Sequence, residues 1–174
     1  WVRTEFTLTA GGVASRVRLF VHSDGTQADV DALGRMVERL AGEHVAVWGE
    51  LPVSEPGHYT FLLDYVPWGD GDGMEHRNST FISDPGISLR SEEGRLAALD
   101  TISHEFFHTW NVERIRRAGL EPFDFTRENI TCCLWLAEGF TQYYGDLLQT
   151  RARFSDAPPT GSAPCSSMRL RRSA

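Results

Sequence analysis

The residues "SHEFFHTW", 103–110, set His104 and His108 four apart, with Glu105 directly after the first histidine. Residues four apart on an α-helix differ by about 40° in direction and about 6 Å in rise. Two imidazoles so placed share a face and can converge on one ion at about 2.0–2.1 Å from each nitrogen. Glu105 lies about 100° round from His104 and about 60° from His108. It flanks the pair without joining it, placed to take a proton from a water held by that ion. That is the physical content of the H-E-x-x-H pattern. The competing reading is two partly buried histidines satisfied by hydrogen bonds, and a third ligand separates the two.

No histidine follows His108, which removes the H-E-x-x-H-x-x-G-x-x-H arrangement. The downstream candidates are Glu113, Asp124, Glu128, Glu138 and the adjacent Cys132 and Cys133. Glu113 points about 140° away from His108. Glu138 stands in "CCLWLAEGFTQYY" among Leu134, Trp135, Leu136 and Phe140. A lone carboxylate buried there is costly unless it is protonated, paired or metal-bound. A salt bridge to Arg114, Arg116, Arg117 or Arg127 is the alternative. The expected site is one Zn2+ held by His104, His108 and Glu138, with the fourth position open. Asp100, Asn111 and Gln142 lie a helical turn or less from a ligand. They could orient a ring or carboxylate, or simply face water.

These side chains need elements to carry them. "TEFTLTAGGVASRVRLFVHS", 4–23, alternates apolar and polar residues around Gly11-Gly12 and predicts two strands. "TQADVDALGRMVERLAGEH", 26–44, predicts an amphipathic helix with Val30, Leu33, Val37 and Leu40 on one face. "HYTFLLDYV", 58–66, suits a buried strand. The Gly-, Asp- and Ser-rich stretch from Pro67 to Gly94 reads as a long loop, and a loop of that length is functional or floppy.

A second helix is expected from about Ser91 to about Arg116. Ser91 serves as its N-cap, Leu96, Leu99, Phe106 and Trp110 form one stripe, and Gly119 and Pro122 act as the stop. A third is expected through "ENITCCLWLAEGFTQYYGDLLQ", 128–149. After about Arg151 an Ala/Pro/Ser/Arg-rich remainder reads as a disordered or non-native tail. The class is α+β, with one domain over 1–150 and a tail over 151–174.

The chain has 174 residues, 41% hydrophobic and 24% charged, with a formal charge of -7. That balance argues against nucleic acid or an anionic membrane surface as partner. No apolar run approaches the roughly 20 residues that span a bilayer. Cys132, Cys133 and Cys165 show no disulfide spacing and read as buried free thiols. The chain begins at Trp1 without a leader and reads as an excised or N-terminally shortened piece. Its compartment is open, with the cytoplasm as the default expectation and export not excluded.

"HEFFHTWNVERIR", "PFDFTRENIT" and "LWLAEGFTQYYGDLL" together resemble the catalytic core of the glycyl aminopeptidase family of zinc metallopeptidases, within the thermolysin-like superfamily. The resemblance is close over about 100–149 and looser at "GMEHRNSTFISDP". It implies a zincin-like domain in which a small sheet packs against the helices that carry the ligands. It also implies His104, His108 and Glu138 as zinc ligands and Glu105 as general base. "GDGMEHRN" is similar to the Gly-x-Met-Glu-Asn segment of related aminopeptidases. Gly73, Met74 and Glu75 would then border the substrate, with Glu75 holding its α-amino group. The implied activity is removal of small N-terminal residues such as Gly or Ala from a peptide substrate. Family members are longer, with an N-terminal β domain, a helical region after the third ligand and often a PDZ domain. Where they have a proline this chain has none near Arg117, and it offers no assignable tyrosine or histidine to stabilise the tetrahedral intermediate. Tyr143 and Tyr144 read as packing residues. The alternatives are an inactive remnant that keeps zinc or binds peptide, and an endopeptidase in which Glu75 anchors nothing.

Overall fold

The structure is a computed structural model that describes residues 1–51, 57–118, 124, 126, 127 and 131–156. The first strands, β1 (Val2–Ala10) and β2 (Val13–His22), form the expected antiparallel hairpin. Gly11 and Gly12 turn it at φ values of 57° and 80°, a left-handed pair that side chains with a Cβ resist. Thr26 then starts helix α1 (Gln27–Trp48) with a reciprocal capping box to Asp29. The expected face of Val30, Leu33, Val37 and Leu40 is buried on the sheet.

β3 (His58–Asp64) pairs parallel with β2, so α1 is the crossover between them. The stretch expected as a loop contains two more strands, β4 (Asp72–His76) and β5 (Ser79–Ser83). β5 lies parallel to β3, and β4 folds back antiparallel to β5. The sheet order is β1-β2-β3-β5-β4, which leaves β4 on an edge. β4, with Asp72 and Gly73, has little strand propensity and is made by pairing to β5, whereas β5 carries a local signal in Thr80, Phe81 and Ile82 that the loop reading passed over.

Ser91 caps helix α2 (Glu92–Phe107) through its hydroxyl and the Gly94 N–H. The helix ends at Phe107, earlier than about Arg116, and passes into irregular turns up to Arg114. Gly119 and Pro122, the expected stops, lie outside the described residues. In place of one long third helix, a π-helix (Trp135–Gly139) runs directly into α3 (Phe140–Arg151). The expected helical start at 128–130 and the tail beyond Asp156 also fall outside the described residues. The described part is α+β, as expected.

Phe106 and Trp110 are among the largest fully buried side chains. Phe106 meets Tyr59 and Phe61 of β3 at 5.0 and 5.5 Å between ring centroids. Trp110 stacks on Trp48 of α1 at 5.5 Å. The histidine-bearing helix is therefore fixed by aromatic packing to both the sheet and α1. A buried polar chain adds to this: His44 Nε2 lies 3.1 Å from Ser103 Oγ, which donates to the Gly145 carbonyl at 3.0 Å. It ties α1, α2 and α3 together one residue before His104.

Burial pulls the His44 imidazole down to about 3. An unfolded chain takes up that proton near pH 6.5, so this group's cost to folding grows as pH falls from 6.5 towards 3. The slope from this one group is at most about 1.4 kcal/mol per pH unit. His44→Gln keeps a neutral donor to Ser103, and urea denaturation at pH 6 and pH 5 should show a shallower acid-side loss than the parent. Equal slopes would show that His44 is not the source.

Candidate metal centre

His104 Nε2 and His108 Nε2 lie 3.1 Å apart, one helical turn from each other at the C-terminal end of α2. Glu138, in the π-helix, brings Oε2 to 3.2 Å from His104 Nε2 and 3.5 Å from His108 Nε2. Four donors at about 2.05 Å from a tetrahedral zinc are separated pairwise by about 3.3 Å. The edges found here, 3.1, 3.2 and 3.5 Å, fit that figure. Two imidazole lone pairs and a carboxylate this close repel one another unless a cation or protons lie between them. The donor types also suit zinc, which binds imidazole nitrogen and carboxylate oxygen.

The ring of His108 is 3% exposed and its Nδ1 lies 2.8 Å from the Asn111 carbonyl, which makes Nδ1 the donor and leaves Nε2 free to face the cluster. Burial pulls this imidazole down, but the hydrogen bond and charge of Glu138 outweigh it and hold it up at about 8. The hydrogen bonds to His104 and His108 hold the Glu138 carboxyl down at about 2. The two histidines thus favour the charged carboxylate that a divalent ion would also require.

Glu138 departs from expectation in one respect. Its side chain is half exposed, and the π-helix has no buried residue. Leu134, Trp135 and Phe140 are exposed as well. Of the apolar flanks that suggested a buried carboxylate, these three are exposed and only Leu136 is half-buried. The carboxylate nevertheless turns inward to the histidines. Arg114, Arg117 and Arg127 reach other groups: Glu50, Cys132 and Asp124 respectively. Asp124 itself is held by Arg127 and Thr126. Cys132 is exposed and Cys133 half-buried, both free, where buried thiols were expected. Glu128 and Cys165 lie outside the described residues.

Glu105 is 94% buried when its 6% exposure is counted, and its Oε2 has no hydrogen-bond partner. Burial pushes its carboxyl up to about 7, opposed by the charges of His104 and His108. A carboxyl poised near neutrality can take and return a proton at working pH. Across from it lies the sheet edge. Ligand atoms of Glu75, Glu105 and His108 all fall within 4.8 Å of one another. Gly73 and Glu75 are on the face of β4 turned to α2, whereas Met74, the alternate residue, is 54% exposed. Of the segment singled out in the sequence, Gly73 and Glu75 border the cluster and the side chain of Met74 does not.

Among the residues considered as orienters, Asp100 is exposed beside Gln149, and Gln142 bonds Asp146 at the surface. Asn111 alone of the three touches the site, together with Thr141, which sequence reasoning passed over. The signal was available: Thr141 follows Glu138 by three residues, and residues three apart on a helix are neighbours. Tyr144 stacks on Phe107 at 5.0 Å, a packing role, while Tyr143 is 44% exposed.

The site belongs to an α+β core in which the helix that carries H-E-x-x-H lies against an edge strand. Residues 97–162 match the model of the M61 glycyl aminopeptidase family. The segment that carries the ligands is thus similar to that family of peptidases, as the motifs suggested. A solved aminopeptidase N family protein from Idiomarina loihiensis matches the fold with a TM-score of 0.68 and 24% sequence identity. The match covers 88% of this chain and 26% of that one, so this chain spans about a quarter of that protein's length. No curated protein is significantly similar to the chain.

Gly73 is constrained by contact. A Cβ there would meet the carboxyl carbon of Glu105 at 2.7 Å, well inside van der Waals distance. Gly73→Ala should therefore destabilise the fold by about 1–3 kcal/mol, the usual cost of overpacking. Most of that cost should vanish in a Glu105→Ala background, where the opposing group is gone. Chemical denaturation of the four proteins checks it.

Proposed function

We propose that this chain is the metal-binding core of a zinc-dependent aminopeptidase with a zincin-like, thermolysin-like arrangement. The observation that carries this is the mutual spacing of His104, His108 and Glu138 with the buried Glu105 beside them. His104, His108 and Glu138 would hold one Zn2+. A zinc ion bound there supplies Lewis acidity, lowering the pKa of water towards neutrality and polarising a carbonyl.

The remaining work falls to the chain's own side chains. Glu105, held near neutrality by burial, takes a proton from the attacking water and gives it to the leaving amine nitrogen. Glu75, across the site on β4, pairs with the substrate's α-ammonium and so selects the first peptide bond. A preference for small N-terminal residues such as Gly or Ala follows from the similarity to the M61 glycyl aminopeptidase family. The substrate is a peptide. No helix among the described residues is long and apolar enough to cross a membrane. Further β, helical and PDZ domains of a longer parent protein complete the proposal. A second reading, a remnant that binds zinc or peptide without turnover, is favoured by the uncovered face around Trp135 and Phe140 next to Glu138.

Purified chain should hold about one zinc per molecule by elemental analysis, as a single three-ligand site requires. Glu105→Gln should keep that zinc and lose hydrolysis of glycyl and alanyl chromogenic amides by at least about a hundredfold. Hydrolysis at the parent rate would remove Glu105 as the base. Zinc without turnover in the parent chain would establish the remnant.

Acetylating the substrate's amino group tests Glu75. Cleavage of the free amine should exceed that of the blocked peptide by about a hundredfold or more, and Glu75→Gln should erase most of the difference. Equal cleavage of both substrates by the parent would make the chain an endopeptidase.

A further inference from the structure

We infer that Asn111 is the positioning residue that joins the second and third ligands into one unit. Its backbone carbonyl fixes the ring of His108, and its side-chain amide fixes the turn that carries Glu138. The inference rests on the metal-site reading above and asks what makes that site assemble.

The backbone half begins where α2 stops. In a continuing α-helix the Asn111 carbonyl would accept from the N–H of residue 115. Here the Ile115 N–H donates to the Trp110 carbonyl instead, at 2.8 Å. Val112 and Glu113 both donate to the His108 carbonyl at 3.0 Å. The break turns the Asn111 carbonyl towards His108 Nδ1, 2.8 Å away. A helix that ran on to Arg116 would lack this contact, and the imidazole tautomer would be undirected.

The side-chain half crosses to the π-helix. Asn111 Nδ2 lies 3.0 Å from the Leu136 carbonyl, 3.2 Å from the Ala137 carbonyl and 3.1 Å from Thr141 Oγ1. Thr141 in turn donates to the Ala137 carbonyl at 2.6 Å. Asn111 is 5% exposed and Thr141 is fully buried. These contacts grip the two residues immediately before Glu138. One-turn π segments are frequent at functional sites. The Glu138 side chain is half exposed, with His104 and His108 as its hydrogen-bond partners, so its aim follows from the backbone that Asn111 holds. Asn suits the position because its NH2 group supplies two donors to three acceptors. A carboxylate would instead face two carbonyl oxygens.

The test uses the full 174-residue chain. Zinc affinity is read by competition with a chromophoric chelator, and site geometry by the visible absorption of bound Co2+. Asn111→Ala should weaken zinc by about 10–100-fold, the effect expected when an outer partner of a ligand is lost, and should alter the Co2+ spectrum. In a Glu138→Ala background the same substitution should change affinity by less than about threefold, since its target is already gone. Equal losses in both backgrounds would show a merely general weakening and overturn the inference. So would an Asn111→Ala chain with parental affinity and an unchanged Co2+ spectrum.

If Asn111→Ala does not fold, Thr141→Val carries the same cycle, with Thr141→Ser as the variant that should restore affinity. Failure of Ser to restore what Val removes would count against the network. A parent chain that binds no zinc sinks the metal reading itself, and this inference with it. That outcome is distinct from a parent that binds zinc indifferently to Asn111.

Discussion

Three electron-rich atoms held 3.1–3.5 Å apart form the constraint around which this chain is arranged. Left to themselves, two imidazole nitrogens and a carboxylate oxygen separate into water. Here two of them ride on one helical turn, and that turn is pinned from beneath by Phe106 against Tyr59 and Phe61. The third arrives from a different element. Its approach is set by the contacts between α2 and α3, including Ser103 to the Gly145 carbonyl. The aromatic core thus holds together polar groups that would not gather unaided.

The sheet contributes through its edge. β4 stands at the end of the order β1-β2-β3-β5-β4, and α2 lies against it. This places a glycine against the carboxyl of Glu105 and a second carboxylate, Glu75, within reach of the same space. Burial keeps Glu105 near neutrality, whereas the partly exposed Glu138 is held ionised by the histidines. Two carboxyl groups beside the same histidines thus have their pKa values pushed in opposite directions, Glu105 up by burial and Glu138 down by its hydrogen bonds.

The outer surface of the π-helix and α3 exposes several apolar side chains. Trp135 and Phe140 are in edge-to-face contact with one another and are 66% and 45% exposed. Among the described residues, nothing covers most of this apolar surface beside Glu138, and the chain spans about a quarter of the length of the Idiomarina loihiensis protein. Burial would remove from water the side chains whose apolarity misled the sequence reading of Glu138.

The local elements were legible wherever the chemistry is local. The Gly11-Gly12 turn, the Thr26 and Ser91 caps, the face of α1 and the spacing of His104, Glu105 and His108 all follow from residues within a few positions of one another. The last of these also carries the metal reading. Tertiary structure decided the rest. β4 exists because β5, itself paired to β3, offers it a partner. α2 ends at Phe107, where the Asn111 carbonyl is turned towards a histidine ring. Glu138 reaches the imidazoles while half exposed, because Asn111 and Thr141 grip the turn before it. The Asn111 carbonyl lies only three residues from the ring it meets, but the Asn111 side chain's grip on the π-helix and the pairing of β5 to β3 join residues far apart in the chain, and only folding brings those partners within range.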